Sequence, residues 1–134
     1  MIIEPRVEFK KEIARTPDGA SVQNCYLCGT CTAGCPVAEI DDTYSPRTIM
    51  RLTLAGAEKE LLSSNEIWKC SQCGKCTAHC PQHARPSDVI KAVREAAVDA
   101  GAFSKDKAEQ LSALESELST FRLNKIAAFL KETE

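Results

Sequence analysis

No cysteine of this chain lies outside two short stretches, and that absence organises the rest of the sequence. Aromatic residues are scarce, at 5% of the chain, so a core built on large rings is excluded and a thin hydrophobic interior is expected. Neither sign of charge dominates. The balance of 17 Lys and Arg against 19 Asp and Glu leaves no basic footprint for nucleic acid. No uncharged apolar run approaches the roughly 20 residues that a membrane span requires. Behind Met1-Ile2-Ile3-Glu4-Pro5-Arg6 no apolar run follows, so no secretory signal is read and a reducing, cytoplasmic setting is expected. There is no G-x-G-x-x-G for a dinucleotide, and no acid–base pair, nucleophile elbow or phosphate loop argues for catalysis within the chain.

What is present is a pair of identical arrays. Cys25, Cys28, Cys31 and Cys35 precede Pro36, and Cys70, Cys73, Cys76 and Cys80 precede Pro81. Each reads C-x2-C-x2-C-x3-C-P, the ligand spacing of a bacterial-type cubane iron–sulfur site. Three thiolates two residues apart reach three iron corners from one tight loop, and the fourth corner is filled from elsewhere. In two-cluster ferredoxins the last cysteine of each run ligates the other cluster. One [4Fe–4S] cluster is therefore expected on Cys25, Cys28, Cys31 and Cys80, and the other on Cys70, Cys73, Cys76 and Cys35. Crossing the fourth ligand makes the metal a crosslink of the fold. Proline after the last cysteine suits the first position of a departing helix.

Other uses of eight thiols fit less well. Structural zinc uses two CxxC pairs per ion, and the third cysteine, the x3 gap and the proline do not match it. Eight cysteines in 134 residues fall below the density of a disulfide scaffold. His79 and His83 would suit a Rieske-type site only if a cubane position lacked its cysteine, and none does. Because a cluster site does not exist in the unfolded chain, its binding energy is folding energy. Without metal, Cys25–Pro36 and Cys70–Pro81 are expected to be molten.

Every regular element that the pattern supports is helical. Pro5 to Arg15 is compatible with a short helix or an extended arm, and Thr16-Pro17-Asp18-Gly19 with a turn. Ser21 is placed to cap a short helix leading to Cys25. Ser45-Pro46 reads as an N-cap followed by proline, with Ile49, Met50, Leu52 and Leu54 in the helix and Gly56 at its end. Glu58 to Leu62 continues as helix. Ser64 or Asn65 caps the turn Glu66-Ile67-Trp68 before Cys70. Pro86-Ser87-Asp88 opens a stronger helix carrying Val89, Ile90, Val93, Ala97 and Val98, and Gly101 stops it. No β-hairpin alternation appears. The expectation is an all-α frame in which each cluster loop is followed by a helix.

The two arrays, the segment Tyr44-Ser45-Pro46-Arg47 and the lead-in Ser64-Asn65-Glu66-Ile67-Trp68-Lys69-Cys70 resemble the C subunit of heterodisulfide reductase. Its relatives in the heterodisulfide-reductase-like complexes of sulfur-oxidising organisms are included, and the resemblance covers about residues 21 to 100. It implies an alpha-helical ferredoxin fold with two [4Fe–4S] clusters. It also implies an electron relay between the flavin-bearing A subunit and the disulfide-active B subunit of such a complex. In methanogens the substrate would be the mixed disulfide of coenzymes M and B, and in sulfur oxidisers sulfur on a carrier protein. The Cys-Cys doublet of the B subunit is absent here, in keeping with that division of labour. The same pair of runs occurs in iron–sulfur subunits of succinate dehydrogenase, fumarate reductase and glycolate or glycerol-3-phosphate oxidising systems. The succinate dehydrogenase type carries a further [2Fe–2S] domain ahead of its runs, whereas the 24 residues before Cys25 contain no cysteine. A free-standing ferredoxin is the remaining alternative.

Three parts are expected: an N-terminal arm over residues 1–20, the two-cluster domain over 21–101, and an amphipathic tail over 102–134. In the tail, Leu111, Leu114, Leu118 and Phe121 keep a 3–4 spacing, with Ile126, Phe129 and Leu130 beyond, as for a helix that docks on a partner. The second array has Lys69 and Lys75 beside it, where the first has Tyr26 and Leu27. A nearby cation favours the reduced cluster, so the site of Cys70, Cys73 and Cys76 is expected to have the higher potential. Trp68 is expected to shield or pack, and Arg47 to make an ion pair or meet a neighbouring subunit.

Overall fold

The computed structural model describes residues 4–132. Among them there is no strand, and the chain divides into two compact units, Met1–Ala102 and Phe103–Glu134. The first unit holds seven α-helices. They are α1 (Val7–Arg15), α2 (Thr30–Ala33), α3 (Pro36–Ile40), α4 (Pro46–Ala55), α5 (Glu58–Leu62), α6 (Lys75–Ala78) and α7 (Pro86–Asp99). Short 3-10 turns, Val22–Asn24 and Glu66–Lys69, lead into the two cysteine arrays. The all-α frame stands as expected. No described helix is long and apolar enough to cross a membrane.

The apolar positions that repeat at helical spacing explain why α4 and α7 form the centre. Ile49 and Met50 of α4 and Val89, Ile90, Val93 and Ala97 of α7 are buried together with Phe9 and Ile13 of α1 and Leu61 of α5. The segment expected as an N-terminal arm therefore contains a helix that contributes two core residues. Arg6, just before α1, ties this helix down: its guanidinium donates to Glu12 and to Glu58, and its backbone N–H donates to the Gly56 carbonyl at 2.8 Å.

Helix starts follow local chemistry. The Ser45 hydroxyl accepts from the Thr48 N–H at 3.2 Å while Pro46 occupies the first turn of α4, and Gly56 closes the helix. Pro36 opens α3 directly after Cys35. Pro81, its counterpart, does not open a helix. His83 and Arg85 adopt left-handed backbone (φ 51 for both), so the chain turns instead, and α7 starts five residues later at Pro86. Arg85, which precedes α7, offers no side-chain cap. Ser21 likewise does not cap its turn, and its hydroxyl donates to the Ala84 carbonyl.

The second unit contains α8 (Lys105–Glu132), and none of its residues is buried. At about 100° per residue, Leu111, Leu114, Leu118 and Phe121 share one side of α8. Leu123, Ile126 and Leu130 lie round the cylinder from them. The step from Phe121 to Leu123 breaks the 3–4 spacing, so apolar residues face two sides of α8, with Phe129 back on the side of Leu111.

Candidate metal centres

The repeat seen in the cysteines extends to the backbone. Leu27 and Gln72, each two residues after the first cysteine of its array, have positive φ (62 and 54). Such a conformation costs a bulky residue of order 1–3 kcal/mol and persists at functional sites. In each loop the N–H of that same residue faces the first cysteine. Leu27 N–H donates to Cys25 Sγ and Gln72 N–H to Cys70 Sγ, both at 3.4 Å. Gly29 and Gly74, with φ 91 and 74, then start α2 and α6, where a side chain would be strained whatever the space around it.

A second device fastens each loop to the start of a long helix, α4 for the first and α7 for the second. Thr32 Oγ1 lies 3.0 Å from Ser45 Oγ and accepts from the Arg47 N–H at 3.1 Å. Thr77 Oγ1 lies 2.6 Å from Ser87 Oγ and accepts from the Ser87 N–H at 3.2 Å. Neither threonine stands out when the sequence is read for ligands alone. Their signal was legible all the same, since Cys-Thr-Ala stands at the same place in both arrays (31–33 and 76–78). Arg94 was missed as well. Its guanidinium donates to the carbonyls of Ile67 (2.8 Å), Trp68 (3.1 Å) and Cys70 (2.6 Å) and lies over the Trp68 ring at 5.3 Å. Trp68 is thus a packing platform. Arg47 braces the first loop in a similar way, its Nε donating to the Leu27 carbonyl at 2.7 Å.

None of the eight cysteines is in a disulfide; Cys28 and Cys73 are exposed and the others half-buried. A narrow cavity is lined by Cys35, Cys70, Cys73 and Cys76 together with Tyr44. The last cysteine of the first array therefore stands with the first three of the second. On the other side, Cys80 is close enough for its charge to act on Cys25. Cys31 acts in the same way on Cys76, so the arrays are electrostatic neighbours. Among the described residues no three Cys, His, Asp or Glu side chains gather around a single metal ion. His79 and His83 are exposed.

The electrostatics suit a large cationic group. Burial raises the pKa of Cys25, Cys31 and Cys76, and neighbouring thiols push in the same direction, with Cys76 driven up to about 11. Hydrogen bonding from Thr30 lowers that of exposed Cys28. Crowded thiols that resist ionisation become stable thiolates only when a cation core binds them. The orphaned hydroxyl of Tyr44 beside Cys70 and Cys35 fits sulfur acceptors in the same cavity. The donor set, its spacing and the inward N–H groups fit two iron–sulfur clusters. Lys69, expected to attract electrons to the second array, is engaged elsewhere. Its ammonium bonds Asp41 at 2.6 Å and Glu66 at 2.8 Å, and holds the Asp41 carboxyl down to about 2.

Comparison with known proteins agrees with this chemistry. Residues 21–84 match the model of the 4Fe-4S dicluster domain. The C subunit of the ferredoxin:CoB-CoM heterodisulfide reductase of Methanosarcina acetivorans is 36% identical over 94 residues, 70% of this chain and 37% of the relative. The iron-sulfur C subunit of the CoB–CoM heterodisulfide reductase of Methanopyrus kandleri is 35% identical over 103 residues, 77% of this chain and 53% of the relative. The C2 subunit of the H2/formate:CoB-CoM heterodisulfide,ferredoxin reductase of Methanococcus maripaludis is 37% identical over 86 residues, 64% of this chain and 46% of the relative. The chain thus spans about half or less of the length of these curated relatives. Residues 21–84 thus match the 4Fe-4S dicluster domain family, and the chain that carries them is similar to heterodisulfide reductase C subunits.

Proposed function

We propose that this chain is the electron-transfer subunit of a heterodisulfide reductase or heterodisulfide-reductase-like complex. It relays single electrons between the flavin-bearing A subunit and the disulfide-active B subunit of that complex, in a reducing, cytoplasmic setting. The observation that carries this reading is the shared cavity of Cys35 with Cys70, Cys73 and Cys76, beside a second set in which Cys80 acts on Cys25. On this reading Cys25, Cys28, Cys31 and Cys80 hold one cluster, and Cys70, Cys73, Cys76 and Cys35 the other. The clusters supply reversible one-electron chemistry. The chain supplies thiolates, N–H donors to sulfur, and loops pinned by Thr32, Thr77, Arg47 and Arg94. The exposed Cys28 and Cys73 put one edge of each site at the surface, where partners would exchange electrons.

Helix α8 is the proposed docking element for a partner protein of the complex, since Leu114, Leu118, Phe121 and Leu123 are exposed on it. Anaerobic isolation from the source, followed by identification of companions, tests the whole reading. Co-purification with a flavoprotein and a cysteine-rich disulfide-active protein is expected, with α8 protease-sensitive alone and protected in the complex. A chain that stays monomeric beside those proteins would be a free-standing ferredoxin instead.

A further inference from the structure

The two cysteine arrays correspond position by position, but the segments that lead from them to the next long helix differ in length and in what they place against the cysteines. Tyr44 and Ala84 each stand two residues before the proline that opens the next long helix, Pro46 or Pro86. Both are buried, at 1% and 0% exposure. Ala84 meets its cluster loop through the backbone, its N–H donating to Cys80 Sγ at 3.3 Å. Tyr44 meets the other loop through its ring and hydroxyl, in the cavity of Cys35, Cys70, Cys73 and Cys76.

That hydroxyl is shut off from water, and no partner among the described residues meets full hydrogen-bond geometry with it. A buried phenol without an acceptor is costly, and native structures rarely keep one without a use. The cavity supplies the acceptors: Cys35, Cys70, Cys73 and Cys76 line it together with Tyr44, so sulfur is what the hydroxyl is enclosed with. A phenol O–H donates and a thiolate sulfur only accepts, so Tyr44 is the donor.

We propose that Tyr44 tunes the second cluster by donating its O–H to a cysteine sulfur of that cavity, raising that cluster's reduction potential above the first, where Ala84 offers no hydroxyl. The proposal rests on the ligand sets assigned above. Reduction adds one negative charge that spreads onto the cysteine sulfurs. A fixed donor then binds the reduced form more strongly than the oxidised form. The proton stays on the phenol throughout and only one electron is gained. Cations separate the halves less cleanly. Arg47 acts on Cys25, Arg94 bonds the Cys70 carbonyl, Lys69 is taken up by Asp41 and Glu66, and exposed Lys75 lines a groove with Cys35 and Tyr44.

The test is a reductive titration of the cluster-loaded protein, followed by electron paramagnetic resonance and checked by iron content. Tyr44→Phe keeps the ring and removes only the hydroxyl. It is expected to retain its iron and to move one of the two one-electron waves downward by about tenfold in the equilibrium, 59 mV. The other wave stays in place. Fluorotyrosine makes the phenol a stronger donor without changing the packing. Incorporated in a Tyr26→Phe background, where Tyr44 is the one remaining tyrosine, it is expected to move the same wave upward. The proposal is overturned if neither wave moves, if both move together, or if Tyr44→Phe sheds half its iron, which would make the tyrosine a structural prop. Unaltered protein that binds no cubane clusters would defeat the ligand assignment itself, a different result from a silent Tyr44→Phe.

Discussion

Replacing Arg94 should loosen the second cluster before it unfolds the domain. The guanidinium of Arg94 donates to three carbonyls of the lead-in, those of Ile67, Trp68 and Cys70, and it stacks on Trp68. A hydrogen bond from an ionised donor contributes about 1.5–3 kcal/mol, and a cation over an indole about 0.5–1 kcal/mol at an exposed site. These terms share one side chain and do not add fully. A loss of about 3 kcal/mol for Arg94→Met is a fair net figure, against the 5–15 kcal/mol that holds a typical domain together. Because Cys70 is one of the anchored residues, the damage should fall on one array. Chelator challenge of the anaerobic protein is the assay, with iron per chain and the two paramagnetic signals read over time. Arg94→Met should lose about half its iron early, and only the signal of the second array. Arg94→Lys should not restore it, because a single ammonium cannot span three carbonyls as the planar fork does. Equal loss from both arrays, or release indistinguishable from the unaltered protein, would refute the reasoning.

Other outcomes follow from the same geometry. Cys35→Ser should remove the same signal as Cys73→Ser, and Cys80→Ser the same signal as Cys28→Ser. If Cys35→Ser pairs with Cys28→Ser instead, each array ligates its own cluster and the crossed assignment is wrong. Thr32→Val and Thr77→Val delete the hydroxyls that join each loop to the start of α4 or α7 and should lower denaturant stability by about 1–3 kcal/mol each. The valine variants should also release iron faster from the site they serve, and unchanged midpoints would show the pins to be dispensable. Complete removal of metal should abolish ordered structure around 25–36 and 70–81, read as rapid amide exchange there. Protection retained in those loops after metal removal would show that the apo-chain folds them unaided.

The parts that could be read from sequence are those whose signal is local. Array spacing identified the cofactor, and Ser45, Pro46 and Gly56 marked both ends of α4, because caps and cluster loops depend on residues within one or two turns. Pro81 misled for the opposite reason. Its local signature matches Pro36, but the left-handed His83 and Arg85 redirect the chain. Arg94 is separated from Cys70 by 24 positions, and no pattern announces a guanidinium reaching backbone carbonyls. Of the two carboxylates that neutralise Lys69, Glu66 stands three positions before it and was within reach of a local reading, whereas Asp41 lies 28 positions away. The Thr32 and Thr77 pins were present as a repeat, legible once the arrays are aligned beyond their cysteines.

Iron and acid-labile sulfide, counted per chain in anaerobically isolated protein and combined with Mössbauer spectra, address the central claim most directly. About eight of each, in two sets of four-iron spectra, is the expected result. Zinc in their place, or a single cluster bound with all eight cysteines intact, would contradict it.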